Sequence, residues 1–129
     1  MKKQFYLLTS LLIFTMAFSS CSHRLVGTWA LDKYSRVNPG EQAVTLNHIG
    51  TMTFNPNGNG QKEVKYTMLG STHTDNASFT WTATDKYVTL ESPNSDFSKI
   101  WIIITNKRKF QKWQSTDGAN NIQTIELSK

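Results

Sequence analysis

The chain has 129 residues, a formal net charge of +5, 38% hydrophobic and 12% aromatic residues, and a single cysteine. That length suits one domain with its own core, and one cysteine excludes a disulfide within the chain. The basic residues are too scattered for a nucleic-acid surface, so nucleic acid is not an expected partner; the one basic run, Lys107-Arg108-Lys109 with Lys112 nearby, reads as a solvated turn.

Lys2 and Lys3 open the chain, and an apolar run from Phe5 to Phe18 follows, broken by Thr9, Ser10 and Thr15. Small residues Ser19 and Ser20 come next, then Cys21. This is the three-part layout of a secretory signal. The run is shorter than the roughly 20 residues a spanning helix needs. Phe18-Ser19-Ser20-Cys21 resembles the lipobox of bacterial lipoproteins, with Phe18 where Leu is usual. The resemblance implies cleavage before Cys21, acyl chains such as palmitate on that residue, and a membrane anchor. Ala17-Phe18-Ser19 also has the small-x-small pattern of an ordinary cleavage site, which would leave a free thiol at Cys21. The expected organisation is a signal peptide over 1–20, a lipidated terminus and short tether over 21–24, and one domain over 25–129. Ser22 carries no inner-membrane retention signal, so the expected location is the cell envelope, at the outer membrane.

After the tether, alternation of apolar and polar residues predicts strands one after another. Leu25 to Leu31 puts Leu25, Gly27, Trp29 and Leu31 on one face. Ser35 to Gln42 reads as a loop around Asn38-Pro39-Gly40. Val44 to Phe54 puts Leu46, His48, Met52 and Phe54 on one face. Asn55 to Gly60 is a turn, since Asn-Gly accepts the positive φ of tight hairpins. Gln61 to Leu69 groups Val64, Tyr66 and Met68; Thr74 to Thr82 groups Ala77, Phe79 and Trp81. Tyr87 to Glu91, Phe97 to Thr105, Arg108 to Gln114 and Ile122 to Leu127 complete the set. Ile100 to Ile104 is apolar on both faces, which suits a strand covered on both sides or one whose outer face meets a partner. The expected fold is all-β: a small up-and-down antiparallel barrel of about eight strands, closed so that no edge is left exposed.

Leu25-Val26-Gly27-Thr28-Trp29 resembles the Gly-x-Trp opening of lipocalin-like domains. Met52-Thr53-Phe54 before an Asn-Gly turn, Phe79-Thr80-Trp81 and Tyr87-Val88-Thr89-Leu90 are similar in kind to segments of small lipocalin-like lipoproteins of Gram-negative envelopes. The resemblance implies that Trp29 closes one end of the barrel and that Gly27 lets it sit against the backbone.

No residue pattern points to catalysis. There is no nucleophile elbow and no phosphate loop, and no pair of acids stands out for hydrolysis. His23, His48 and His73 lack zinc-site spacing, although His48 falls on an inward face; no metal or cofactor is expected. The chain is read as a non-enzyme. Phe54, Tyr66, Phe79, Trp81 and Trp101 are the candidate ligand-binding set, expected to line one continuous apolar space with room for at most one small hydrophobic ligand. The alternative is a filled barrel that docks another envelope protein through the Trp101 strand or the loop tips.

Overall fold

The computed structural model describes residues 24–118 and 120–129. Cys21 and the signal segment lie outside the described residues. Nine strands and no helix are found there: β1 Gly27–Val37, β2 Val44–Phe54, β3 Asn59–Met68, β4 Ser71–Asp75, β5 Ser78–Ala83, β6 Tyr87–Glu91, β7 Ile100–Asn106, β8 Phe110–Thr116 and β9 Ile122–Ser128. Neighbouring strands are antiparallel throughout, in the order β2-β1-β9-β8-β7-β6-β5-β3, and β3 pairs back onto β2 to close the ring. The result is an eight-stranded up-and-down barrel. β4 adds no ninth stave: it pairs with Val64–Met68 of β3, on the side where β5 pairs with Asn59–Gln61.

The single strand predicted over 74–82 is therefore broken into β4 and β5 at Asn76-Ala77. Other boundaries shift for local reasons. β1 runs on to Val37, because Tyr34, Ser35, Arg36 and Val37 find partners on β9. Phe97 is not in a strand; it sits in the β6–β7 connection with its ring buried in the core. His48 does not face inward. A register shift opposite Asp32 inserts a residue into β2, and His48 takes φ 54°. Such a bulge swaps the faces of the residues around it, so Ile49 is buried and His48 points to solvent beside Asp32, 3.9 Å away. His73, expected in a turn, lies on β4.

Two glycines permit the closure. A Cβ at Gly50 would stand 2.0 Å from the Glu63 carbonyl oxygen across the β2–β3 pairing. One at Gly60 would meet the Phe79 ring at 2.2 Å. Any side chain there would push the two closing strands apart.

The hairpins define two ends. The base gathers residues 24–26, the turns after β2, β5 and β7, and Lys129. The upper end gathers the connections after β1, β3, β6 and β8. Trp29 plugs the base: it is fully buried and its indole N–H donates to the Leu25 carbonyl at 2.8 Å. The Lys129 ammonium lies 5.1 Å over its ring and donates to the Val26 carbonyl at 2.6 Å. Cutting this ring to alanine opens a cavity the barrel cannot collapse into. Trp29→Ala is expected to lower the unfolding free energy by about 3–5 kcal/mol, read from the urea midpoint at unchanged slope.

Candidate functional site at the upper rim

The five aromatic residues singled out in the sequence are all buried and belong to one core cluster, in which they pack at different levels. Phe54, Phe79 and Trp81 meet toward the base. The Phe54 ring stands edge-on to Phe79 at 5.2 Å, to Trp81 at 5.4 Å and to Trp113 at 6.0 Å between centroids. These are packing contacts of favourable edge-to-face geometry. The Trp81 indole N–H is also occupied, shared between the Asn55 and Asn59 carbonyls at 3.1 Å each. Tyr66 sits six residues up β3 from Gly60, about 20 Å of strand away. Its ring faces Tyr34 at 5.6 Å and stacks on His73 at 5.0 Å. Trp101 is fully buried near the upper end, donating its N–H to the Phe97 carbonyl at 3.0 Å.

Between these aromatic groups the inward row of β3 carries a charge. Lys62 alternates with Gly60 and Val64 on the buried face and is 1% exposed. A buried ammonium must be paired and fully hydrogen-bonded. Here its Nζ is 3.0 Å from the Asp75 carboxylate and donates to Ser92 Oγ and Ser95 Oγ, each at 2.9 Å. Ser95 in turn donates to Asp75 at 2.6 Å, and Ser92 to the Ser78 carbonyl at 2.9 Å. This network fastens the β6–β7 connection, residues 92–99, to β3, β4 and β5. Ser92 and Lys62 form a hydroxyl–amine pair in which the amine is also held by the Asp75 carboxylate.

The fastened connection crosses the upper end and drops Phe97 into it, edge-on to Tyr34 at 5.4 Å. Around Phe97 the rim is polar. Tyr66 Oη donates to Asp96 at 2.6 Å. The Lys99 ammonium donates to Gln123 Oε1 and lies 5.6 Å over Trp101. Ser115 Oγ donates to the Ile100 carbonyl at 2.9 Å. Among the described residues, the buried side-chain atoms Tyr34 Oη, Arg36 Nε and Asn121 Oδ1 have no hydrogen-bond partner. Burial pushes the Tyr34 hydroxyl up to about 12, with the Asp96 charge adding and Arg36 opposing. Burial, then the hydrogen bond and charge of Asp96, raise Tyr66 above the usual tyrosine range. Burial lowers the Lys99 ammonium, Asp96 and Asp117 opposing and Arg36 assisting.

Beside this rim a cleft of about 550 Å³ opens between β1, β2 and the β3–β4 turn, lined by Arg36, Asn38, Glu41, Gln42, Val44, Met68 and Leu69. Its volume lies within the range of small-molecule sites. Arg36 pairs with Val44 across β1 and β2 and joins the cleft to the rim. No group of three or more metal-ligating side chains occurs among the described residues.

A family model for the lipocalin-like domain matches residues 25–128. This chain belongs to that family. The lipocalin-like match spans all eight staves of the barrel and begins at the Leu25-Val26-Gly27-Thr28-Trp29 segment. Among solved structures the chain is similar to a redesigned beta barrel, at 18% identity and a TM-score of 0.44, covering 82% of this chain and 91% of that one. No curated protein matches.

Of the rim groups, only Tyr66 and Trp101 stand out in the sequence as candidate ligand residues. Tyr34, Arg36, Lys99, Asn121 and Gln123 carry no motif; they come together only because β1, β9 and the 92–99 connection meet at one end of a closed sheet.

Two outcomes follow. Asp75→Ala would leave the Lys62 charge buried without its counter-ion and is expected to cost about 3–5 kcal/mol, measured by urea denaturation; Lys62→Met, which removes the charge itself, should cost less. The second concerns Tyr34, which ionises near pH 10 in an unfolded chain and at about 12 in the barrel. Its contribution is full below pH 10 and lost as the pH rises toward 12, by roughly 2–3 kcal/mol. Tyr34→Phe should be neutral or stabilising at pH 7, since it removes an unpartnered buried hydroxyl. Denaturation curves taken between pH 9 and 11.5 should show its advantage over the native chain growing.

Proposed function

We propose that this lipocalin-like protein is a non-enzymatic binding module of the cell envelope, anchored through lipid on Cys21, that holds one small, partly hydrophobic molecule at the upper rim. The observation that carries the reading is the set of three buried, unpartnered polar atoms on Tyr34, Arg36 and Asn121, at the end of the barrel where the 550 Å³ cleft opens. Unpaired buried polar groups are costly and are rarely retained without a use. A ligand with an apolar body against Val44 and Met68 and an anionic or acceptor group toward Arg36 fits this lining. The anchor is supported by the Phe18-Ser19-Ser20-Cys21 segment.

The amphipathic dye 1-anilinonaphthalene-8-sulfonate is a suitable probe. It should bind with about one-to-one stoichiometry, and Arg36→Leu should weaken it by about 10-fold or more, the worth of a hydrogen bond to a charged group. Phe79→Leu, at the base, should leave its affinity unchanged. Equal effects of the two substitutions would move the site back among the basal aromatic rings. For the anchor, two or more acyl chains hold a protein stably at a membrane. Cys21→Ser should therefore shift the protein out of the membrane fraction or stall its processing.

A second reading rests on the outer face of β7. Ile100, Ile102 and Ile104 are 60%, 45% and 51% exposed, and Tyr87 stands opposite Ile102 on β6. A contiguous apolar stripe of this kind suits contact with another envelope protein.

A further inference from the structure

We infer that the base of the barrel is a contact surface for an anionic lipid bilayer, held base-down by a ring of basic side chains, so that the rim cleft faces away from the membrane. The inference goes beyond the binding reading; its charge argument stands without the lipid on Cys21, and that anchor, if present, fixes the same orientation.

The sequence scatters its basic residues, but the topology sorts them. Hairpin after hairpin returns to the base, and the segments there carry Arg24, Lys86, Lys107, Arg108, Lys109 and Lys129 against a single acid, Asp85, all of them exposed. The connections at the upper end carry the exposed acids Glu41, Asp96 and Asp117, and their cation Lys99 is partly buried. The two ends are thus of opposite sign. The ion pairs of Lys33 with Glu126, His48 with Asp32, and Lys62 with Asp75 use no basal cation.

The basal cations are also held together. Arg24 Nη1 donates to the Asn106 carbonyl at 3.2 Å and to Asn106 Oδ1 at 3.4 Å, which fixes the entry of the chain beside the basic turn. The Lys129 amide donates to the Lys109 carbonyl at 3.0 Å, which brings the last strand to the same turn. Clustering like charges without acid partners costs electrostatic energy in the free protein and is offset when an anionic surface faces them. Juxtamembrane basic residues gain in this way from an acidic leaflet, over a distance of about one Debye length. Reach gives the second line of argument. Cys21 lies three residues before Arg24, and three extended residues span about 10 Å at most. An acyl group on Cys21 would hold the basic turn at headgroup level, with no room for the barrel to invert.

The test uses the chain from Ser22 onward, since every strand pairing among the described residues lies within residues 27–128. At low salt it should bind vesicles of phosphatidylcholine with about a third phosphatidylglycerol, and pure phosphatidylcholine vesicles at least about 10-fold more weakly. Lys107→Glu, Arg108→Glu and Lys109→Glu together should weaken binding to the anionic vesicles by about 100-fold, since each basic residue contributes roughly five-fold. The exposed control Lys65→Glu, on β3, should change it by no more than a few-fold. Thermal melts of both variants establish that they fold, and milder glutamine replacements serve if the triple reversal does not. Equal binding to neutral and anionic vesicles, or equal loss from Lys65→Glu and the triple variant, would overturn the inference. So would tighter binding to a short DNA duplex than to the anionic vesicles at the same salt, which would make the base a polyanion site of another kind. Membrane release by Cys21→Ser is read separately on the full chain. Failure there with vesicle binding intact removes the lipid anchor and leaves the basal surface standing.

Discussion

The Lys62 network is the interaction on which the upper half of this barrel depends. A meander of eight staves closes easily where each strand meets its neighbour along its length, but the strand after the β3–β4 turn breaks at Asn76-Ala77. The break leaves Lys62 facing the interior where the partner of β3 changes from β5 to β4. An apolar residue would pack there with no preference for the 92–99 connection. A charged amine can stay only if that connection brings Ser92 and Ser95 to it while β4 brings Asp75. Buried ion pairs contribute little net stability compared with apolar replacements. What this one provides is position: it sets where Phe97 enters the core and where Asp96 meets Tyr66.

From that placement follows the division of the interior. Toward the base the space is filled by rings in edge contact, Phe54 with Phe79, Trp81 and Trp113, closed below by Trp29. Toward the rim it is filled by side chains with polar tips: Tyr34 meets the Phe97 ring and Tyr66, and Trp101 donates to the Phe97 carbonyl. An eight-stranded barrel is wide enough for side chains and little else. Polar groups collect at the rim where the 92–99 connection brings partners such as Asp96 to Tyr66. The opposite polarity of the two ends has the same origin, since in a meander every turn lies at one end or the other and the turn sequences decide its charge.

Much of this was legible in the chain. Alternation located β2 and β6 with their observed ends, the Asn55 to Gly60 turn located the first tight hairpin, and Leu25 to Trp29 pointed to the lipocalin-like family. Period-two reading failed where the backbone departs from regular pleating. Alternation puts His48 inward because nothing in Leu46-Asn47-His48-Ile49 marks a bulge, and one inserted residue is enough to turn it out. Phe97 was assigned to a strand because an apolar residue near Ile100 extends the pattern; its role as a plug depends on the Lys62 contacts across the sheet. Trp113, fully buried, does not stand out because the residues that share its inward face, Gln111 and Ser115, are polar and hide the alternation. The rim site was least visible, being made from residues whose polarity reads as surface until the sheet closes around them.

The sheet is not held with equal strength around its circumference. β1 is flanked by long ladders to β2 and β9, and β8 by a long ladder to β9. The β5–β6 hairpin has shorter ladders, to Asn59–Gln61 on one side and to Ile100–Ile102 on the other, extended by single backbone bonds from Trp81 to Gly58, Leu90 to Lys99 and Ile103 to Lys86. Local opening follows the regions with the fewest backbone bonds to break. The hairpin is therefore a panel in the wall: its amides are expected to exchange with solvent before those of β1 and β9, and Phe79 and Trp81, which it carries on β5, loosen from the Phe54 ring when it opens.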